Sequence, residues 1–215
     1  MKLFLNSLLI LFLVNPQLWE QNCSHDINNN GLIDNFDLLN LLANYGNYYD
    51  EISPVLITEI HYKPSSEQGL DSEWEFIELF NPNNEAIDLP GYKLVAEFDT
   101  LLFNSVAIEP HGFVLIATLS DSYVGELPNY CLIVEFSNDI NNSGENITLI
   151  DDEGIAIDQE NFTDLPPWPI FADGFGGSLE LESPSNNNAL TESWGYSGIF
   201  FFWGGGSPGD FNSNW

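Results

Sequence analysis

The chain has 215 residues, of which 44% are hydrophobic and 14% aromatic, so one domain with a substantial core and short appendages is expected. It contains 33 acidic residues, three lysines and no arginine, which gives a formal net charge of −30. Because nucleic-acid binding depends on Lys and Arg neutralising phosphates, this composition argues against a nucleic-acid partner and against docking on anionic membranes.

The first residues have the features of an export signal. Lys2 is followed by an apolar run from Leu3 to Val14 that is interrupted by Asn6 and Ser7. About a dozen residues are too few to span a bilayer but suit the hydrophobic region of a signal peptide. We predict that residues 1–22 direct export, with an undefined cleavage site. The mature protein is expected to be secreted or at the cell surface, without a membrane span.

The segment DINNNGLIDNFD, residues 26–37, has the spacing of a 12-residue calcium loop. Such a loop supplies oxygen ligands from positions 1, 3, 5, 7, 9 and 12 and needs a glycine at position 6, where Gly31 stands. The corresponding ligands are Asp26, Asn28, Asn30, the carbonyl of Leu32, Asp34 and Asp37. The alternative is a solvated polar linker. Because every ligand position carries an oxygen donor in the correct register, we predict calcium binding.

An amphipathic helix is predicted directly after this loop. Apolar side chains recur at helical spacing, and a glycine can end the helix: Phe36, Leu39, Leu42, Tyr45 and Gly46. The segment DINNNGLIDNFDLLNLLANYG resembles the loop–helix half of a dockerin type I repeat. The resemblance covers residues 23–46 and implies calcium ligation. Dockerins usually carry two tandem repeats and this sequence has one, so cohesin binding is left open.

A second segment, DINNSGENITLI at residues 139–150, begins in the same way but differs at the decisive positions. Ile147 and Ile150 stand at positions 9 and 12, and neither side chain binds a cation. We therefore predict a hairpin turn at NNSG that leads into a strand, and no calcium site.

After a linker at residues 47–53, the pattern changes to short strands separated by turn sequences. The strand-like runs are VLITEIHY, EWEFIELF, YKLVAEF, GFVLIAT, YCLIVEF, NITLIDD and, at residues 178–182, SLELE. This spacing predicts an all-β fold, an antiparallel β-sandwich over residues 54–215. The Gly-, Asn- and aromatic-rich end of the chain is expected to pack on the sandwich through Trp194, Trp203 and Trp215.

Alternation along EWEFIELF separates two faces of one strand. One face carries Trp74, Phe76, Glu78 and Phe80, and the other carries Glu75, Ile77 and Leu79. The second face is expected to join the core. On the first face, Glu78 needs a polar partner or an exposed position, because burying an unpaired charge is costly.

Seven motifs follow one another between Pro54 and Asn212. They are VLITEIHYKP, EFIELFNPNNEAIDLPGYKL, IEPHGFVLIA, NSGENITLIDDEG, PPWP, GGSLEL and GSPGDFN. In this order they resemble the lamin tail domain of bacterial secreted and surface proteins. The resemblance implies an immunoglobulin-like β-sandwich without catalytic residues, and a role in binding or attachment.

The acidic residues do not form a recognisable catalytic motif. Glu59, Glu73, Glu75 and Glu78 are candidates for a hydrolase pair, but neighbouring acids arise by chance in so acidic a chain. The three histidines are too scattered for a zinc motif, and no Gly-x-Ser-x-Gly sequence is present. We expect a protein that is not an enzyme. An undetected metal-dependent hydrolase is the remaining enzymatic hypothesis.

Two cysteines, Cys23 and Cys131, admit two interpretations. They pair in the exported chain, or Cys131 is a buried and inert thiol, which we favour because it lies in a predicted strand.

The predicted function is that of an exported calcium-binding protein whose sandwich mediates extracellular binding or attachment. Its partner is expected to be an extracellular protein or a carbohydrate-associated molecule, and calcium is the cofactor. The alternative is an accessory component of a polysaccharide-degrading system, recruited through the dockerin-like segment. The sequence does not identify the partner or the oligomeric state.

Overall fold

The computed structural model describes residues 53–215, except for residues 98, 126, 129–130, 137–138, 198–199, 202–203 and 214, together with residues 32, 34, 35, 38 and 39. The chain divides into two units, Met1–Glu51 and Ile52–Trp215. In the first unit, Asn35, Leu38 and Leu39 are helical. The N–H of Leu38 donates to the carbonyl of Asp34 at 3.2 Å, which is the bond of an α-helical turn.

The second unit is built on a six-stranded sheet. Its strands are β1 (Leu56–His61), β2 (Phe76–Phe80), β7 (Phe113–Ala117), β8 (Leu132–Glu135), β11 (Leu179–Leu181) and β12 (Trp194–Tyr196). Their order across the sheet is β12-β11-β1-β2-β7-β8. Neighbouring strands are antiparallel except β7 and β8, which run parallel.

A four-stranded antiparallel sheet forms the second layer. Its strands are β4 (Lys93–Ala96), β5 (Asp99–Leu102), β9 (Asn146–Ile150) and β10 (Ala156–Asn161), in the order β10-β9-β4-β5. Two short pairs join β3 (Ile87–Asp88) to β6 (Ala107–Ile108) and β13 (Phe200–Phe201) to β14 (Gly204–Gly205). The connections include a short helix, Asp71–Trp74, and 3₁₀ turns at Ser120–Tyr123, Ile170–Ala172 and Thr191–Ser193.

The predicted all-β fold with antiparallel sheets is confirmed, and each predicted strand contains an observed one. In EWEFIELF only Phe76–Phe80 is a strand, because Trp74 belongs to the short helix. The pattern does not predict β5, β10 or β12. DTLL and AIDQEN lack a run of β-branched or aromatic residues, and in WGY the two aromatic residues are separated by a glycine.

The hydrophobic core lies between the two sheets. Its buried members include, from the six-stranded sheet, Ile57, Ile60, Ile77, Leu79 and Val114, and, from the four-stranded sheet, Leu94, Ile147 and Leu149. Ile77 and Leu79 are on the face of β2 that the alternation assigns to the core, so this part of the prediction is confirmed.

A bulge in β1 allows Ile57 and Ile60 both to face the core. The register of β1 against β2 shifts between Ile57 and Glu59, which changes the alternation and turns Glu59 to the opposite face of the sheet. The N–H of Ile57 donates to the carboxylate of Asp158 at 2.6 Å, and the amide of Asn188 donates to both oxygens of that carboxylate at 2.8 and 2.9 Å. A side chain of β10 thus satisfies a backbone donor beside the bulge.

Residues 139–150 form a turn followed by a strand. The N–H of Gly144 donates to the carbonyl of Asn141 at 2.8 Å, and Ile147 of β9 is in the core. Gly144 has a φ of +96°, and a Cβ there would overlap the backbone of Phe162, so glycine is required. The predicted hairpin is wrong, because β8 and β9 on either side of the turn belong to different sheets.

Among the residues that the structure describes, none forms a helix with the length and apolar composition needed to cross a membrane.

Candidate functional site

Most of the predicted calcium ligands lie outside the described residues. These are Asp26, Asn28, Asn30 and Asp37, and their arrangement stays a prediction. Leu32 and Asp34 are described, in non-helical backbone just before the helical residue Asn35, and the side chain of Leu32 is exposed. The export segment (residues 1–22), Cys23 and Trp203 are also outside the described part of the chain.

The acids considered for a hydrolase pair are placed in two different ways. Glu59 and Glu78 are fully buried register partners on β1 and β2. Glu75 is also fully buried, at the end of the short helix that contains the partly exposed Glu73. Since Glu59 and Glu78 are enclosed by the protein, their carboxyl groups are not open to a substrate in this structure.

Glu78 has the polar partners that its position on the aromatic face requires. The hydroxyl of Thr58 donates to one carboxyl oxygen at 2.9 Å, and the N–H of Gly209 donates to the other at 2.7 Å. Burial, and next the charge of Glu59, holds the pKa of Glu78 well above its ordinary value of 4.5. The predicted need for a partner is met by a residue from the end of the chain.

The end of the chain packs on the sandwich, as predicted for Trp194 and Trp215. Trp194 is buried, and its indole N–H donates to the carbonyl of Asn188 at 2.7 Å. The indole N–H of Trp215 donates to the carbonyl of Leu181 at 2.6 Å, and its ring lies 5.0 Å from that of Phe80. Both indole N–H groups therefore have acceptors.

Cys131 is a half-buried free thiol. Burial, and next the charge of Glu78, raises the pKa of Cys131 to about 12. A thiol of this kind stays protonated and is a poor nucleophile at neutral pH, which supports the interpretation of an inert cysteine.

Four exposed apolar side chains form a surface on the loop that contains the Ile170–Ala172 turn and on the neighbouring strand β12. Their exposed fractions are 53% for Ile170, 42% for Phe171, 61% for Phe175 and 39% for Tyr196. The ring of Phe171 lies 5.9 Å from that of Phe175 and 4.8 Å from that of Tyr196. We call these four residues the aromatic surface. Grouped apolar side chains in contact with water are typical of interaction sites.

The aromatic surface is held in place by the body of the sandwich. Ala172 is fully buried in the core, and Asp173 forms an ion pair with Lys63. The N–H of Gly174 donates to the carbonyl of Lys63 at 3.2 Å. Tyr196 is positioned by the pairing of β12 with β11, opposite Leu179. The exposed rings are thus fixed by buried and bonded neighbours on both sides.

An open groove of about 580 Å³ adjoins the same loop. Its lining includes Lys63, Leu70, Asp71, Asp139 and Gly174, so the groove offers positively and negatively charged side chains next to an apolar one.

The alternation rules that predict strands do not find the aromatic surface. The signal in the sequence is a pair of phenylalanines in PIFADGFGG, a turn-rich stretch without the alternation of a strand.

Within the described residues, no three side chains of His, Cys, Asp or Glu come together in a way that would hold a metal ion. The predicted calcium loop is not covered by this observation, because four of its ligand residues are not described.

The model of the lamin tail domain family matches residues 49–164, which is more than half of the chain. No curated protein matches the chain. The matched range contains both sheets except β11 and β12, and it ends before the aromatic surface begins at Ile170.

Proposed function

Because the chain belongs to the lamin tail domain family, we propose that it is an exported, non-catalytic, calcium-binding protein whose sandwich mediates extracellular binding or attachment. The observation that carries the proposal is the aromatic surface. Exposed Phe and Tyr side chains that are fixed by a rigid frame lose little conformational entropy on binding, and aromatic residues are enriched in protein interfaces.

The charge of the chain restricts the partner. With a net charge of −30, the protein is repelled by nucleic acids and other polyanions, is attracted to basic surfaces and is not repelled by neutral ones. The partner is therefore a cell-surface, matrix or carbohydrate-associated molecule with a neutral or basic contact region.

Retention on the cell-surface fraction tests the aromatic surface. We expect that replacing Phe171 and Phe175 by serine reduces the amount of purified protein retained on that fraction by about tenfold, since each ring in a contact contributes about 0.5–1.5 kcal/mol beyond its buried area. The matched control is Val124→Ser, because Val124 is 72% exposed but is not part of the aromatic surface. Equal retention of both variants contradicts the proposal.

Export is tested separately by fractionating cultures of the source cells. The protein is expected in the medium or on the cell surface, and accumulation inside the cell contradicts this part of the proposal.

The loop at residues 26–37 is proposed to bind calcium with a Kd on the order of 10⁻⁵ to 10⁻³ M, the range of weaker sensors and extracellular modules. Asp26→Ala and Asp37→Ala each remove a charged ligand and are expected to abolish the binding heat in calorimetry. Asp139→Ala is the matched control, since Asp139 begins the similar segment that forms a turn and a strand. Undiminished heat in both loop variants rejects the calcium site.

A role as an accessory component of a polysaccharide-degrading system is the second candidate. It is favoured by the helical residues Leu38 and Leu39, which directly follow the predicted calcium loop at residues 26–37. Capture of the full chain by a cohesin module in calcium, and its loss in EDTA, supports recruitment. No capture under either condition leaves direct attachment through the sandwich as the function.

A further inference from the structure

Three glutamates form a row on the outer face of the six-stranded sheet, the face that points away from the core. Glu59 on β1 is the register partner of Glu180 on β11 and of Glu78 on β2. All three side chains are fully buried. Side chains in register on adjacent strands lie about 4.5–5.5 Å apart at Cβ, and like charges at that separation repel each other. We call these residues the carboxyl row.

The row is covered by residues 206–213 and 215, which we call the terminal segment. Each carboxyl group accepts one backbone N–H from it: Glu59 from Ser207 at 2.9 Å, Glu78 from Gly209 at 2.7 Å and Glu180 from Ser213 at 3.1 Å. The hydroxyl of Ser207 also donates to Glu180 at 2.9 Å. The terminal segment is therefore attached to the sheet at three successive points of the row.

Two further contacts complete the attachment. The side-chain amide of Asn212 donates to the carbonyls of Thr58 and Leu181 at 2.9 and 3.0 Å. The rings of Phe211 and Trp215 pack against Phe113 at centroid distances of 5.7 and 6.4 Å. The terminal segment thus covers an apolar part of the same sheet face.

Among the described residues that surround the row, none supplies a compensating positive charge. The titratable neighbours are His61 on β1, Tyr123 in a 3₁₀ turn, Cys131 before β8 and Asp210 in the terminal segment. Burial lowers the pKa of His61 to about 4, so its ring is neutral at pH 7. The chain has no arginine, and of the described lysines Lys63 pairs with Asp173 and Lys93 lies on β4 of the other sheet.

We propose that the carboxyl row is a proton-dependent latch, which holds the terminal segment on the sheet while Glu59 and Glu78 are protonated and releases it when they ionise. Uncompensated carboxylates side by side in a buried row are unfavourable, and opening the segment returns those of Glu59 and Glu78 to water. Release uncovers the rings of Phe80 and Phe113, so the latch also controls the exposure of an apolar sheet face.

The direction of the pH dependence follows from the raised affinity for protons. Burial, and next the charge of Glu180, raises the pKa of Glu59 from 4.5 to about 8. In the open state the carboxyl group meets water and its pKa returns toward 4.5. The closed state therefore binds the proton more tightly. Its advantage is complete below about pH 4.5 and is lost as the pH rises through about 8.

Hydrogen exchange of the full chain tests the latch. After correction for the intrinsic exchange rate, we expect the protection of the Ser207, Gly209 and Ser213 amides to fall by about tenfold or more between about pH 6 and about pH 9, since each pH unit changes a one-proton equilibrium by up to about tenfold. Amides of β2 and β7 in the core are expected to keep their protection. Unchanged protection of the terminal segment overturns the proposal, and so does an equal loss in the core.

A variant separates the latch from general alkaline loosening. In the double variant Glu59→Gln with Glu78→Gln, the amide oxygens still accept the N–H groups of Ser207 and Gly209 but no longer ionise. Its terminal segment is expected to stay protected at about pH 9, whereas Glu153→Gln, at an exposed position, behaves like the unmodified chain. Loss of protection in the double variant at about pH 9 overturns the proposal. If the double variant does not fold, the pH comparison on the unmodified chain decides alone.

Discussion

The two faces of the six-stranded sheet are both buried, but different interactions bury them. The inner face meets the four-stranded sheet through apolar side chains such as Ile77 and Leu79. The outer face carries the carboxyl row and His61 and is covered by the terminal segment through directed hydrogen bonds. Hydrophobic contact is non-directional and tolerates small shifts, whereas a buried carboxyl group requires a donor at each oxygen that water no longer reaches.

The two faces therefore contribute differently: one mainly to the stability of the fold, the other to the selection of the segment that covers it. The inner face supplies most of the free energy of burial, and the outer face decides which segment of the chain is accepted as a cover. A cover that does not place its N–H groups opposite the row leaves buried carboxyl groups unpaired, and each of these costs about 1–3 kcal/mol or more.

The largest expected effect is a loss of packing on the inner face. Leu79→Ala removes a fully buried side chain from the core and is expected to lower the free energy of unfolding by about 2–5 kcal/mol, because a cavity is left. Urea unfolding followed by circular dichroism measures it. The matched control is Leu132→Ala on edge strand β8, where the side chain is 47% exposed. Equal losses in the two variants contradict the assignment of the inner face as the main source of stability.

A steric change under the terminal segment is expected to come next. Gly206 has a φ of +101°, and a Cβ there would overlap the carboxyl group of Glu59. Gly206→Ala is therefore expected to cost about 2–4 kcal/mol, from the left-handed backbone and the overlap together. Gly154→Ala isolates the first contribution, because Gly154 has a φ of +88° but open space around it. If both substitutions lower the urea midpoint equally, the terminal segment is not packed closely against Glu59.

The fold and the outer face differ in how far the sequence predicts them. Ile77 and Leu79 follow from alternation along one strand, which is a local pattern. The same pattern shows that Glu78 needs a partner but does not identify it, because Gly209 lies 131 residues further along the chain. The alternation pattern does not reveal the bulge in β1 either, and it is the bulge that brings Glu59 into register with Glu78.

The candidate sites also differ in whether a local sequence pattern predicts them. The calcium loop is predicted from a contiguous register of ligands, since its donors come from one short segment. The aromatic surface exists because the described part of the chain leaves Phe171 and Phe175 exposed. The exposure of a side chain in a loop produces no periodic pattern in the sequence. Short runs such as AIDQEN become strands because an adjacent strand pairs with them, so tertiary context overrides their weak propensity.

A smaller effect is expected when one directed bond pair of the outer face is removed. Asn212→Ala removes the amide that donates to the carbonyls of Thr58 and Leu181. The Leu181 carbonyl keeps the indole N–H of Trp215, and a loss of about 1–3 kcal/mol in the free energy of unfolding is expected. Asn186→Ala, at an exposed turn position, is expected to change stability by less than about 0.5 kcal/mol. Indistinguishable urea midpoints for the two variants argue against a role of Asn212 in attaching the terminal segment.

The smallest expected effect is on the pH dependence of global stability, and it compares the carboxyl row with Glu160 on β10. Burial, and next the charge of Asp158, raises the pKa of Glu160 from 4.5 to about 9. Folding therefore favours the protonated form, and the contribution of Glu160 is complete below about pH 4.5 and is lost as the pH approaches 9. Glu160→Gln is expected to reduce the decline in the free energy of unfolding between about pH 6 and about pH 8 by on the order of 1 kcal/mol. The control Glu153→Gln, at an exposed turn position, is expected to leave this decline unchanged.

Protection of the terminal segment in hydrogen exchange should keep its own pH dependence in Glu160→Gln, since this side chain is not part of the carboxyl row. If that dependence disappears with Glu160, global unfolding and not the row controls the terminal segment.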